Sequence, residues 1–173
     1  MELLSVNALY GPNIWGKAGM LEARVDVSAW QHLSTENVIA FQQRLAVLLP
    51  DWSSRPTPAQ RGLPGIALAE ALRDVALALQ TLVSVPVTSG GIGPISSSAT
   101  LAIAVEYDEE RLARACLDSA RRICLAALTP ADLDVAAELR RLRVLAEDVC
   151  LGRATSPLVA AARPGHPVSS PRR

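Results

Sequence analysis

Aromatic residues are scarce in this chain: one Phe, two Tyr and three Trp among 173 residues. A core with so few rings has to be built from Leu, Val, Ile and Ala, a composition that favours helices. Histidine is scarcer still, with only His32 and His166. Net charge is absent, because 17 basic residues balance 17 acidic ones. That balance excludes a global field able to gather nucleic acid or an anionic membrane. No apolar run approaches membrane-spanning length, and Met1-Glu2-Leu3 is unlike the start of a signal peptide. Cys116, Cys124 and Cys150 form an odd set without C-x-x-C spacing, and they fall among apolar helical positions. Reduced, buried thiols and a cytoplasmic setting are the expectation.

What is present suffices for one domain with a real core. Residues 1–152 read as that domain, and 153–173 as a Pro/Arg/Ala-rich tail with four arginines and no acids. Leu3 to Leu9 reads as a strand with Leu4, Val6 and Ala8 on one face. Leu21, Ala23, Val25 and Val27 alternate with Glu22, Arg24, Asp26 and Ser28, the period-two pattern of a strand with one wet face. A third strand is expected over Ala99 to Tyr107. The first two can pair as a hairpin whose long loop is Gly11-Pro12-Asn13-Ile14-Trp15.

Helices account for most of the rest. Thr35 can cap a helix carrying Val38, Phe41, Leu45 and Leu48, which stops at Pro50. Asp51 to Pro64 reads as a connection. The next helix runs from Pro64 or Gly65 to about Val83, with an inward stripe of Leu68, Leu72, Val75, Leu79 and Leu82. Val85 to Ser98 reads as a Gly/Ser/Pro loop. Asp108 to Leu128 is a third helix with Leu112, Cys116, Ile123 and Ala127 inward. Thr129-Pro130-Ala131-Asp132 looks like the cap of a fourth, running to about Cys150 and stopping at Gly152. Segregated strands and helices predict an α+β fold: a small, mostly antiparallel sheet of about three or more strands, covered by about four helices.

Several segments together resemble the N-terminal domain of cyanophycin synthetase, a ligase that builds a poly-aspartate polymer with arginine branches. They are Asn7-Ala-Leu-Tyr-Gly-Pro-Asn-Ile-Trp15, Ala23-Arg-Val-Asp-Val27, Val75-Ala-Leu-Ala-Leu-Gln-Thr-Leu82, Ala104-Val-Glu-Tyr107 and Leu151-Gly-Arg-Ala-Thr155. They occur in the family's order and span nearly the whole chain. The family's ATP-grasp and Mur-ligase-like modules are missing, and no G-x-x-x-x-G-K-[ST] loop is present, so ligation by this chain alone is not expected. In many relatives the second helix carries His-x-x-Glu-His, a metal-dependent hydrolase pattern. The matching positions here are Glu70, Arg73 and Asp74. A guanidinium where the general base would stand repels a metal ion and cannot accept a proton from water. The resemblance therefore implies a chain without catalytic residues, metal or cofactor.

The candidate ligand-binding residues are Asn13, Trp15, Arg24, Glu70, Arg73, Asp74 and Glu106. Trp15 offers a flat face for a guanidinium, or packs its loop onto the sheet. Arg24 and Glu106 either line a polymer groove or pair with each other across the sheet. Glu70 and Asp74 either take a guanidinium or form a solvated face with Arg73. Gly90-Gly91-Ile92-Gly93 reads as a flexible connection, because it precedes a strand instead of leading from one into a helix. In relatives that loop carries Arg and Thr, so its Gly/Ser content here departs from family-type contacts. Arg140, Arg141 and Arg143 read as a solvated helix face. The expected function is non-catalytic: binding a charged, cyanophycin-like peptide polymer, or docking to ATP-grasp and Mur-ligase-like modules on another chain. The alternatives are a divergent metal-dependent hydrolase and a structural subunit of a homo-oligomer. No nucleic acid or membrane partner is expected.

Overall fold

A computed structural model describes the backbone of residues 1–50, 64–94 and 99–161, and side chains through Val149. The connection expected over 51–63 and the end of the tail, 162–173, lie outside the described residues, as does the Cys150 side chain. The chain runs β1 (Glu2–Leu9), β2 (Met20–Asp26), a short 3-10 turn, α1 (Thr35–Leu48), α2 (Pro64–Val83), β3 (Gly90–Pro94), β4 (Thr100–Glu106), α3 (Glu110–Leu128) and α4 (Val135–Ala161). The four strands form one antiparallel sheet in the order β1-β2-β4-β3, and the fold is α+β as expected.

One face of the sheet carries Leu21, Ala23 and Val25 from β2 and Ile103 and Val105 from β4, all fully buried. Helices α2 and α3 lie on that face. Leu68, Leu72, Val75 and Leu79 of α2 are buried, as are Leu112, Cys116, Ile123 and Ala127 of α3. Only Leu82, at 39% exposure, falls outside the expected α2 stripe. α1 adds Phe41 and Leu45, and α4 adds Leu142 and Ala146, to the same core. Cys116 and Cys124 are free thiols within it, and burial pushes both up to about 12.

Polar contacts tie the helices together. Glu138 of α4 accepts from Ser119 Oγ (2.9 Å), Arg122 (3.1 Å) and Arg141 (3.0 Å). Burial opposes ionisation of this carboxyl, but the Ser119 bond and the two guanidinium groups outweigh it and hold the pKa below its ordinary value. Arg44 of α1 donates to the carbonyls of Ala127 and Leu128, filling acceptors that the end of α3 leaves open.

Five local expectations need correction. The segment read as a flexible connection contains β3, which pairs with β4 through Gly91↔Ala104 and Gly93↔Ala102. In β1 a register shift between Leu3 and Ser5 puts Leu3, Val6 and Ala8 opposite Val25, Ala23 and Leu21, and leaves Leu4 53% exposed. An extra residue in the strand moves every later side chain by one phase. Helix α1 is capped by Ser34, whose side chain accepts from Asn37 N, and not by Thr35. At the start of α4, Thr129 Oγ1 donates back to Leu125 O of α3, and Asp134 takes the cap by accepting from Ala137 N at 2.9 Å. Gly152 does not stop α4, which continues to Ala161.

Candidate functional site

The β1–β2 loop is built around Asn13. Its Nδ2 donates to Gly11 O (2.8 Å) and Ala18 O (2.9 Å), while its Oδ1 accepts from Trp15 N (2.9 Å). Gly11 supplies the turn with φ +64, where an L side chain would be strained. Asn13 and Gly16 also pair through their backbones. One carboxamide thus closes a loop that would otherwise have many open conformations. The role of Asn13 is to hold Trp15 in place.

Trp15 folds back over the sheet face opposite the helices. Its Nε1 donates to Glu22 Oε2 of β2 at 2.7 Å. Its six-membered ring covers β3 so closely that a Cβ on Gly91 would clash with Cε3 and one on Gly93 would stand 3.0 Å from Cη2. Glu22, Ala104 and Gly91 form one cross-strand row, and Arg24, Ala102 and Gly93 form the next. The indole lies along the first row, which explains the run of small side chains on β4 and β3. Of the two readings of Trp15, packing onto the sheet is the one realised, and the residue stays only partly exposed.

Arg24 stands exposed beside this plate and makes no ion pair among the described residues. It is flanked on its own strand by Glu22 and Asp26, which point to the same face. Asp26 Oδ1 accepts from Ser28 N at 2.7 Å, a bond that lowers the carboxyl pKa. Glu22 thus commits one oxygen to Trp15, and Asp26 is held by both the backbone and the side chain of Ser28. Glu22 was not singled out from the sequence, although its period-two phase with Arg24 is the signal that finds it.

Arg24 and Glu106 do not pair. The register puts Arg24 opposite Ala102 and Glu106 opposite Met20. Glu106 Oε2 instead accepts from Ser89 N (2.8 Å) and Thr88 N (3.2 Å), anchoring the segment that enters β3. The Ser89 bond leads in lowering the Glu106 pKa; burial opposes it and the Thr88 bond reinforces it.

The remaining candidates lie on the other side of β3. Arg73 Nε donates to Asp74 Oδ1 at 2.7 Å, and the Arg73 methylenes rest where a Cβ on Gly90 would go. Glu70, one turn earlier on α2, has no polar partner among the described residues. Nor do any three His, Cys, Asp or Glu among the described residues lie close enough to hold a metal ion. The seven candidates thus form two groups on opposite faces, with the glycine strand β3 between them.

No protein-family profile matches the chain, and no curated protein matches it. Among the described residues, no helix is long and apolar enough to cross a membrane.

Proposed function

We propose that the chain is a non-catalytic, cytoplasmic module that binds a charged, cyanophycin-like peptide polymer on the sheet face opposite its helices. The observation that carries this reading is Arg24, without an ion pair among the described residues, standing between Glu22 and Asp26 beside the ring of Trp15. Residues two apart on a strand stand roughly 6.8 Å from one another. The face therefore offers a negative, positive, negative alternation beside an aromatic plate. A polymer with acidic main-chain residues and guanidinium branches presents both signs, so such a row suits it better than a uniformly charged patch. The resemblance to the cyanophycin synthetase N-terminal domain points to the same ligand. Each exposed pair contributes only about 0.2–1 kcal/mol, so useful affinity has to come from repetition along the polymer.

The test is co-sedimentation with insoluble cyanophycin at low and high salt, with the supernatant assayed for released peptide. Salt-sensitive binding without release is expected, since 1 M salt shortens the screening length to about 3 Å. Arg24→Glu is expected to lower the bound fraction about fivefold, equivalent to ~1 kcal/mol. Absence of binding at either salt concentration overturns the reading and moves the function to docking on a separate ligase chain.

A further inference from the structure

The two edges of the sheet are finished differently. Hydrogen bonds between and beside the strands fix which backbone groups point outward. Val27 N donates to Ala99 O and Tyr107 N to Gly19 O, so odd-numbered residues of β4 bond to β2. Glu106 N donates to Ser89 O, so the even-numbered ones bond to β3 through Ser89, Gly91 and Gly93. It follows that Gly90 and Ile92 turn their N–H and C=O groups away from the sheet, and Pro94 its carbonyl. None of these groups has a partner among the described residues. On the opposite edge, β1 is interrupted by the register shift at Leu4, and Arg114 Nη1 of α3 donates to the outward carbonyl of Val6 at 3.0 Å. Such devices block strand pairing. The β3 edge has one device, the missing N–H of Pro94, and it still leaves five main-chain groups open.

From these features we infer that the β3 edge is a strand-addition site for an extended peptide carrying basic side chains on one phase. The three glycines at positions 90, 91 and 93 remove side-chain obstruction from both faces. A peptide paired here alternates its side chains between Trp15 on one face and the Glu70, Arg73 and Asp74 group of α2 on the other. Arg73 and Asp74 neutralise each other, so Glu70 leaves that wall with net negative charge and selects a Lys or Arg. The polymer reading concerns the open face of the sheet. This inference concerns main-chain recognition at its edge and stands apart from it.

The probe is a fluorescent octapeptide, acetyl-(Arg-Val)4-amide, and two isomers N-methylated on either the arginine or the valine amides. Strand addition turns alternate amides toward β3, and losing such bonds weakens binding about tenfold. One isomer is therefore expected to bind about tenfold more weakly than the parent and the other within twofold. Hydrogen exchange at the Gly90 and Ile92 amides slows on binding, and Glu70→Lys weakens the parent peptide about fivefold while preserving the contrast between isomers. Equal behaviour of the two isomers, or no binding of the parent peptide, overturns the inference. Neither result touches co-sedimentation with the polymer, so the two readings fail separately.

Discussion

Gly91→Ala is a single methyl with a sign that depends on another residue. The backbone at Gly91 lies outside the left-handed region, so alanine meets no conformational strain there. What it meets is Trp15: the new Cβ would overlap Cε3 and stand 2.7 Å from Cζ3. Both ring atoms belong to a rigid indole pinned at Nε1 by Glu22 and at its backbone by Asn13. Relief requires lifting the ring or displacing β3, an overpacking cost of about 1–3 kcal/mol. In a Trp15→Ala background nothing remains to clash with. Alanine then reduces the freedom of the unfolded chain relative to glycine and stabilises by roughly 0.5 kcal/mol. The coupling between the two sites is therefore about 2 kcal/mol, readable from urea unfolding of the four proteins as a midpoint difference of about 1 M. Gly16→Ala serves as the control, since nothing lies within 4 Å of its added Cβ. Equal costs for Gly91→Ala with and without Trp15 would refute the claim that the indole sets the composition of β3.

Arg44→Ala removes the donors to Ala127 and Leu128 and is expected to destabilise by about 1–2 kcal/mol in urea unfolding, with Arg44→Lys recovering part of the loss. Glu106 has a folded pKa below its ordinary value of 4.5, so its contribution is present above that value and fades as pH falls through the folded pKa. Glu106→Gln should cost about 1 kcal/mol at pH 7 and show a flatter loss of stability on acidification, measured by urea midpoints from pH 7 to 3. In a Cys150→Ser variant, Cys116 and Cys124, both raised to about 12, are expected to resist a thiol reagent at pH 8 until the chain unfolds. Labelling faster than global unfolding would contradict their burial.

Most helices were legible because their signal is periodic and redundant. The α2 stripe repeats over 20 residues, and losing Leu82 from it changes nothing about the assignment. Single-residue features carry no such redundancy. A bulge at Leu4 adds a position without any distinctive residue type, so alternation alone grouped Leu4 with Val6 and Ala8 where the sheet has Leu3. Ser34 and Thr35 are both competent caps, and only backbone geometry decides between them: Ser34 is extended, with φ −68 and ψ 158. Thr129 was misread for a related reason. Its hydroxyl serves the end of α3, which leaves Asp134 to begin α4.

The missed strand and the split candidate site have one physical origin. Apart from Ile92, β3 lacks the β-branched and aromatic residues that mark strands, because the place of the side chains on its open face is taken by a ring from seventy-odd positions earlier in the chain. Strand propensity describes how a side chain fills a pleated surface, so a strand whose surface is filled from elsewhere has none to show. Its trace in the sequence is indirect: Gly91 and Gly93 share one phase, Ala102 and Ala104 share the matching phase of β4, and the long β1–β2 loop carries a Trp. Read together, these place an aromatic plate over two strands. Read singly, they give a flexible loop, a bland strand and an exposed ring. The same arrangement leaves β3 thin enough for Arg73 to approach from the helical side at Gly90. Residues that seemed scattered along the chain therefore converge on two sides of one glycine-rich edge, and that convergence is why the edge is the place to look for a bound peptide.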